Sequence, residues 1–201
     1  EYSKENLSSR FSVNFDDYDN LNFDNSFINY ENGIANINIG KVNRIWSFSK
    51  KSSLILSSNS RPLEVISIKL KNKFNTQWLP ATANWSAEII NGSTKNSYNG
   101  KNSMVSGARI IISPSEKLNF ELLQISQWGD QSDKFYSSNI DALLFGNTNE
   151  GINASINKLA GFGLSYSVFL HENTYRFYSQ AIGEDEAGNL PSCLSYMAGL
   201  E

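Results

Sequence analysis

Three adjacent acidic residues form the densest group of chemically capable side chains in this sequence. Glu184, Asp185 and Glu186 lie between Gly183 and Gly188. Two carboxylates at a fixed separation can hydrolyse a glycosidic bond by acid–base chemistry. Acids grouped in a turn can instead accept hydrogen bonds from backbone amides or bind a cation. The second interpretation is favoured, because neighbouring positions in a sequence define no distance between two carboxylates.

Nucleophilic and metal chemistry have few candidates. The chain has one histidine, His171, and one cysteine, Cys193. A triad would have to use His171, which stands in a predicted short turn away from the other candidates. A single cysteine forms neither an intramolecular disulfide nor a zinc site of several cysteines. We therefore predict a protein that is not an enzyme and that holds no metal or cofactor.

Five charged residues suggest a buried network. Arg109, Glu121 and Arg176 fall on the polar side of predicted strands, and Arg44 and Arg61 lie in or beside a predicted long loop. They could form arginine–carboxylate pairs that fill the interior of a β structure. They could also line a path for a polysaccharide or a small solute. The first interpretation is favoured, since interior charges in barrels mostly serve packing or selectivity.

Two tryptophans lie in predicted long loops. Trp46 stands in the first of these loops, and Gln127 precedes Trp128 in another. An aromatic ring can stack on the apolar face of a sugar while a neighbouring amide binds its hydroxyls. Each tryptophan could instead fill the mouth of a barrel or join an interfacial aromatic girdle. The packing interpretation is favoured for the rings, but Trp46, Gln127 and Trp128 remain candidate sugar contacts together with the three acids.

Alternation of apolar and polar residues with a period of two defines the elements that carry these groups. Phe162, Leu164 and Tyr166, for example, alternate with Gly163 and Ser165. A strand separates two such sets onto opposite faces, whereas a helix would scatter them. The pattern predicts an all-β, antiparallel fold of about ten strands. These lie near residues 11–15, 26–30, 34–42, 63–71, 85–90, 104–112, 118–125, 159–170, 174–182 and 194–201.

Short and long connections take turns between the predicted strands. Short turns are expected near 31–33, 79–81, 113–116 and 171–173, and long connections at roughly 43–62, 91–103, 126–157 and 183–193. Up-and-down topology places all turns of one kind at one end, as in outer-membrane barrels. A soluble antiparallel sandwich or barrel also alternates, but the loop pattern favours the membrane barrel. It also places Trp46, Trp128 and the three acids at one end.

Charge and length limit the remaining classes of function. The 201 residues carry a formal net charge of −3 and show no cluster of Lys and Arg, so no nucleic-acid partner is expected. No apolar run approaches the roughly 20 residues of a transmembrane helix. The chain begins in polar sequence and ends in what resembles an unfinished strand, Tyr196–Glu201. We expect residues 1–201 to be one partial barrel, without the N- and C-terminal strands of the full barrel.

Four stretches, in order along the chain, resemble the capsule assembly protein Wzi family. Departures from the family pattern occur at Ser47–Ser49, Gly163 and Asp130, and they concern loop conformation and fine specificity rather than the fold. The four stretches are Asn43–Trp46 with Ser52–Pro62; Gly107–Arg109 with Pro114, Leu118, Glu121 and Gln127–Gly129; Asn157–Phe162; and Gln180–Ser192.

The resemblance implies a monomeric barrel of the bacterial outer membrane, with roughly eighteen strands of which this chain supplies about the middle half. It implies a lectin or assembly factor that binds and organises capsular or surface polysaccharide through long extracellular loops. The expected partners are that polysaccharide and outer-membrane lipid. A porin-like channel is the first alternative, and a barrel enzyme acting on polysaccharide or lipid is the second.

Overall fold

The computed structural model describes residues 2–4, 6–15, 21–59, 61–74, 83–95, 102–128, 156–185 and 191–201. Within these ranges the regular structure consists of thirteen β-strands. They are β1 (Tyr2–Lys4), β2 (Leu7–Arg10), β3 (Asn14–Phe15), β4 (Leu21–Asn22), β5 (Phe27–Asn32), β6 (Ala35–Lys41), β7 (Glu64–Phe74), β8 (Ala83–Lys95), β9 (Asn102–Ser113), β10 (Leu118–Trp128), β11 (Ile156–Leu170), β12 (Asn173–Asp185) and β13 (Pro191–Leu200).

Eleven strands form one sheet in the order β1-β2-β5-β6-β7-β8-β9-β10-β11-β12-β13, with β1 and β13 at its edges. Every neighbouring pair is antiparallel. The predicted all-β, up-and-down fold is therefore confirmed. That flanking strands complete a larger barrel stays a prediction. No helix in the described ranges is long and apolar enough to cross a membrane.

We call the eleven-stranded sheet the wall. The prediction that residues 11–15 form one of its strands is wrong. Residues 14–15 form β3, which pairs only with β4 in a separate two-stranded sheet. The wall contains β1 and β2 instead, and neither was predicted. The alternation of apolar and polar residues runs from Phe11 to Phe15, whereas residues 8–10 of β2 are all polar. A period of two therefore identifies a strand but not the sheet to which it belongs, and it misses β2.

The two ends of the sheet carry different connections, as predicted. At one end, the short-turn end, Gly33 (φ 62°) and His171 (φ 54°) adopt the left-handed conformation that tight hairpins require. The strands that are joined through residues 11–26, 42–63 and 129–155 end at the opposite end, the long-loop end. Two of the expected long connections are wrong. β8 and β9 extend to Lys95 and Asn102, so residues 96–101 connect them instead of a long loop at 91–103, and residues 186–190 connect β12 and β13 instead of a long loop at 183–193. The short turn expected near 79–81 lies outside the described residues.

The strands present an apolar outer face. Partner residues in neighbouring strands point to the same side, and Ile110, Leu122 and Phe162 are such a row of partners. The same register places most of the other exposed large side chains of the wall on this face. They include Ile28, Tyr30, Ile37, Ile39, Ile66, Ile68, Leu70, Ile89, Ile112, Phe120, Leu164, Tyr166, Tyr175, Phe177, Leu194, Tyr196 and Leu200. We call this set the apolar belt.

The hydrophobic core lies on the opposite, inner face. Residues 42–59, called the inner segment, leave β6 and lie across this face. The core therefore forms between a wall of strands and an irregular segment, not between two layers of regular structure. Its buried members are Trp46, Ile90, Leu123 and Ile182, and Leu54, Ile55, Leu56, Ile125 and Leu159 pack against them.

Candidate functional site

The inner segment is folded onto itself around Trp46. The Trp46 amide donates to the Leu56 carbonyl at 3.1 Å. The Ser53 hydroxyl donates to the Trp46 carbonyl at 2.7 Å. These two bonds bring both ends of residues 46–56 together, as in a compact loop whose own side chains fill it. The segment can therefore present Trp46 to the wall in one defined position.

Trp46 is buried against the wall. Its side chain is 1% exposed. A Cβ atom at Gly107 on β9 would lie 2.8 Å from the indole Cη2, so only glycine leaves room for the ring. In this structure the ring has no face open to a sugar. The placement agrees with the alternative interpretation, in which this tryptophan fills the interior.

Gln180 joins the inner segment to two strands. Its Nε2 donates to the Trp46 carbonyl at 2.7 Å and to Glu121 Oε1 at 3.0 Å. Its Oε1 accepts from the Leu54 amide at 2.9 Å. The side chain is 2% exposed, and its bonds to the Leu54 amide and to Glu121 Oε1 provide those two groups with partners away from water. Gln180 was not among the predicted site residues, and the one signal for it in the sequence is that it lies two positions from Ile182, on the same face of β12.

Arg109 and Glu121 of the predicted interior network meet beneath this junction. Both Nε and Nη2 of Arg109 donate to Glu121 Oε2, with Nε at 2.9 Å. Glu121 is almost fully buried. Its other oxygen accepts from Gln180, so both carboxylate oxygens have partners. Such compensation is what a buried charge requires. The Phe48 ring centre lies 5.9 Å from the Arg109 guanidinium carbon and covers the pair from the inner segment.

Arg44 lies against a different part of the wall. Its guanidinium donates to the Val42 carbonyl, to Asn38 Oδ1 and to Ser67 Oγ at 3.0 to 3.1 Å. Glu88 Oε1 is 3.7 Å from its Nε. Burial lowers the pKa of Arg44, and the Glu88 carboxylate acts in the opposite direction. Because an arginine pKa starts so high, the group keeps its charge.

The remaining two arginines, Arg176 and Arg61, have other partners. Arg176 forms an ion pair with Glu201. The Glu201 carboxylate also accepts from the Lys50 amide at 2.9 Å, which attaches the inner segment to the end of β13. Arg61 is mostly exposed, with its Nε 4.0 Å from Asp24. The five predicted residues therefore form separate contacts rather than one network, and Glu88 and Glu201 were not anticipated as partners.

Two of the predicted sugar contacts lie at the long-loop end of the inner face. Gln127 lies near the end of β10, an even number of positions from Glu121, so its side chain is on the inner face. It is exposed. Glu184 lies near the end of β12, four positions after Gln180 and on the same inner face, and it is half-buried. Asn157 is the cross-strand partner of Gln127 and is also exposed. Asn157 opens one of the four stretches that resemble the family, but it was not a predicted sugar contact. We call Gln127, Asn157 and Glu184 the inner rim.

Three other candidates are not placed by the structure. The backbones of Trp128 and Asp185 end β10 and β12, but their side chains lie outside the described residues, as does all of Glu186. Among the described residues, no group of three or more His, Cys, Asp or Glu side chains is arranged to hold a metal ion. The described inner rim thus offers amide and carboxylate groups that can bind hydroxyls.

A solved structure shares this fold. It is Wzi of Escherichia coli, an outer-membrane protein described as a carbohydrate-binding β-barrel involved in group 1 capsule assembly, and it matches this chain with a TM-score of 0.75. The two are 24% identical, over 99% of this chain and 44% of that one. The likeness shows that the wall of strands has the fold of part of a β-barrel.

Sequence comparison covers the whole chain. An uncharacterised 55.8 kDa protein from the cps region of Klebsiella pneumoniae is 29% identical over 174 residues, which are 82% of this chain and 34% of that protein. The chain thus spans about a third of that relative. The family model for the capsule assembly protein Wzi matches residues 1–201. The resemblance seen in four stretches is confirmed.

Proposed function

The chain belongs to the capsule assembly protein Wzi family, and from that premise we propose that it forms part of a bacterial outer-membrane β-barrel that binds capsular or surface polysaccharide. In this proposal, binding takes place at the long-loop end and involves no catalysis. Outer-membrane lipid covers the apolar belt, and the barrel acts as a monomer. The solved relative is described as binding carbohydrate, which is the class of ligand proposed here.

The distribution of polarity supports a position in a membrane. The apolar belt is exposed on the outer face, while Glu121, Ser165, Ser167 and Gln180 are buried on the inner face. A soluble sheet buries its apolar side and wets its polar side, whereas a membrane barrel does the opposite. This inversion is the observation that carries the proposed location. It does not depend on the family match.

The inner rim supports binding at the long-loop end. Gln127 and Asn157 are exposed, and Glu184 is partly so. All three lie on the long-loop side of the core formed by Trp46, Leu123 and their neighbours. Polar groups above a floor formed by this core and the inner segment suit a chain of sugars, which needs many hydroxyl contacts and no passage through the protein.

The same floor argues against the porin-like alternative. The inner segment lies across the inner face and is held there by Gln180 and Glu201. A porin of this construction would need that segment to leave a water-filled path. Recordings of the full-length protein in a planar bilayer test the alternative: we expect no steady conductance, and open-channel currents of porin size would favour a channel.

The buried charges argue against a barrel glycosidase. Glu121 is the buried carboxylate of the described residues, and both of its oxygens have partners from Arg109 and Gln180. A general acid needs a carboxyl group that reaches the substrate. Glu121 is closed to solvent and therefore to a substrate, so it cannot serve as a second catalytic acid beside Glu184. This supports binding without hydrolysis.

A binding assay tests the proposal. The full-length barrel, in detergent, is titrated with purified capsular polysaccharide of its own strain. Gln127→Ala and Glu184→Gln are compared with Glu172→Gln, which alters an exposed acid at the short-turn end. We expect the variant that carries both rim changes to bind at least about tenfold more weakly, which corresponds to about 1.4 kcal/mol. The control should bind the polysaccharide as tightly as the unaltered protein does. Equal binding by all variants would remove the inner rim from the site.

A further inference from the structure

The two strands β3 and β4 and the residues beside them at the long-loop end have one face that is apolar throughout the described residues. The register pairs Asn14 with Asn22 and Phe15 with Leu21. Because partners share a face and neighbours alternate, the side chains separate into two sets. We call residues 11–15 and 21–24 the arm. Its apolar face consists of Phe11, Val13, Phe15, Leu21 and Phe23, and its polar face of Ser12, Asn14, Asn22 and Asp24.

The polar face is occupied by bonds within the arm and at its base. Asn14 Nδ2 donates to the Asp24 carbonyl at 2.9 Å. The Ser12 amide donates to Ser26 Oγ at 2.9 Å, and that hydroxyl donates back to the Ser12 carbonyl at 3.0 Å. These bonds hold a hairpin that would be marginal alone. They also fix which face is presented outward.

The apolar face remains exposed. Phe11 is 75% exposed and Phe15 71%, and the other three side chains of this face are also exposed. Phe11 and Phe23 contact each other, with ring centres 5.6 Å apart, but that contact leaves most of both rings open. Single exposed apolar residues are common, whereas a contiguous aromatic patch marks an interaction surface.

The patch continues into the apolar belt. Phe23 and the outer-face residues Ile39, Ile66 and Met104 line a groove of about 690 Å³ between the arm and the wall. Ile39 and Ile66 are themselves members of the belt. The Lys41–Glu64 ion pair, 3.6 Å apart, lies at the same groove. Phe23, Ile39 and Ile66 therefore connect the arm to the belt along one groove, which Ser26, Asn91 and Ser93 also line.

We propose that the arm docks on the lipid surface, with its five apolar side chains in the membrane interface and a lipid acyl chain in the groove beside Ile39 and Ile66. This rests on the proposed membrane location of the belt. Continuity with the belt selects lipid as the occupant. A polysaccharide would require hydroxyl partners among the apolar residues, and the arm's polar groups lie on its other face.

Spin labels locate the arm. The full-length protein, with its native cysteines replaced, including Cys193→Ser, is placed in phospholipid nanodiscs. Single nitroxides are attached at Phe15→Cys and Leu21→Cys on the apolar face and at Ser12→Cys and Asn22→Cys on the polar face. Leu122→Cys, in the middle of the belt, is the lipid reference. Power-saturation EPR then measures accessibility to oxygen, which concentrates in lipid, and to a water-soluble nickel chelate. Folding of each variant is checked by heat-modifiable migration on gels.

We expect the labels at 15 and 21 to resemble the label at 122, with oxygen favoured over nickel, and those at 12 and 22 to favour nickel. If the nickel chelate reaches the labels at 15 and 21 as readily as the label at 12, the docking on lipid is wrong. It is also wrong if those two labels are protected from both oxygen and nickel, which would indicate a protein partner or a second copy. Should the label at 122 favour nickel, the membrane location itself is wrong. If one arm variant does not fold, Val13→Cys and Phe23→Cys test the same face.

Discussion

The indole ring of Trp46 lies on the bare backbone of Gly107, so closely that a Cβ atom there would be 2.8 Å from Cη2. This contact holds the inner segment against β9 and sets the depth to which the interior is filled. It joins a residue of an irregular segment to a residue of the wall that is distant in the sequence. It is also the most easily tested of the interior contacts.

Gly107→Ala should destabilise the full-length barrel by about 1–3 kcal/mol, because an added methyl group overpacks a filled site. Thermal unfolding of the purified protein measures the loss. Trp46→Leu in the same chain makes room for the methyl group, so the double variant should lose less than the sum of the two single variants. Strict additivity would mean that the ring does not rest on Gly107.

Gln180→Leu should loosen the inner segment. The change leaves the Leu54 amide and one Glu121 oxygen without the partners they now have, at a cost of about 1–3 kcal/mol per unsatisfied buried group. Hydrogen exchange should become faster across residues 46–56. Ser179→Leu, at the exposed neighbouring position, is the control and should leave that exchange unchanged. Unaltered protection in Gln180→Leu would show that the segment is held by other contacts.

Arg109→Met should be among the most damaging single changes in this chain. It leaves the buried Glu121 carboxylate without its cation, and breaking a buried pair costs about 3–5 kcal/mol. Adding Glu121→Leu should recover part of the stability, which chemical denaturation of the barrel would report. Lys71→Met removes one half of the half-exposed Lys71–Glu31 pair and should have a far smaller effect. Similar losses for Lys71→Met and Arg109→Met would contradict the burial of the interior pair.

Leu122→Arg tests which face meets lipid. Leu122 lies in the middle of the apolar belt, between Ile110 and Phe162. An arginine on the lipid face near the bilayer midplane costs about 2–4 kcal/mol. Folding into vesicles should therefore decline in yield, while Glu172→Arg, in the short turn between β11 and β12, should fold normally. Equal yields for the two variants would favour the soluble antiparallel alternative.

Local patterns were sufficient for much of the fold. Alternation in stretches such as 159–170 depends only on neighbouring residues, and it predicted the strands and their apolar face. The order of the wall followed from up-and-down connections. The pattern was insufficient at residues 7–15, where β2 is mostly polar and the alternating stretch belongs to the arm rather than to the wall. It was also insufficient at 91–103, where polar residues continue two strands that were expected to have ended.

The interior was decided by contacts between distant parts of the chain. Composition and parity indicated that Arg109 and Glu121 face inward, and they do meet. Nothing local indicates that Gln180 binds the carbonyl of Trp46, a residue 134 positions earlier. The inner segment has no repeating pattern of its own, so its path depends on the space and the hydrogen-bond partners that the assembled wall provides. For that reason the sequence predicted a tryptophan in a long loop, while the tertiary structure decided that its ring faces Gly107 rather than solvent.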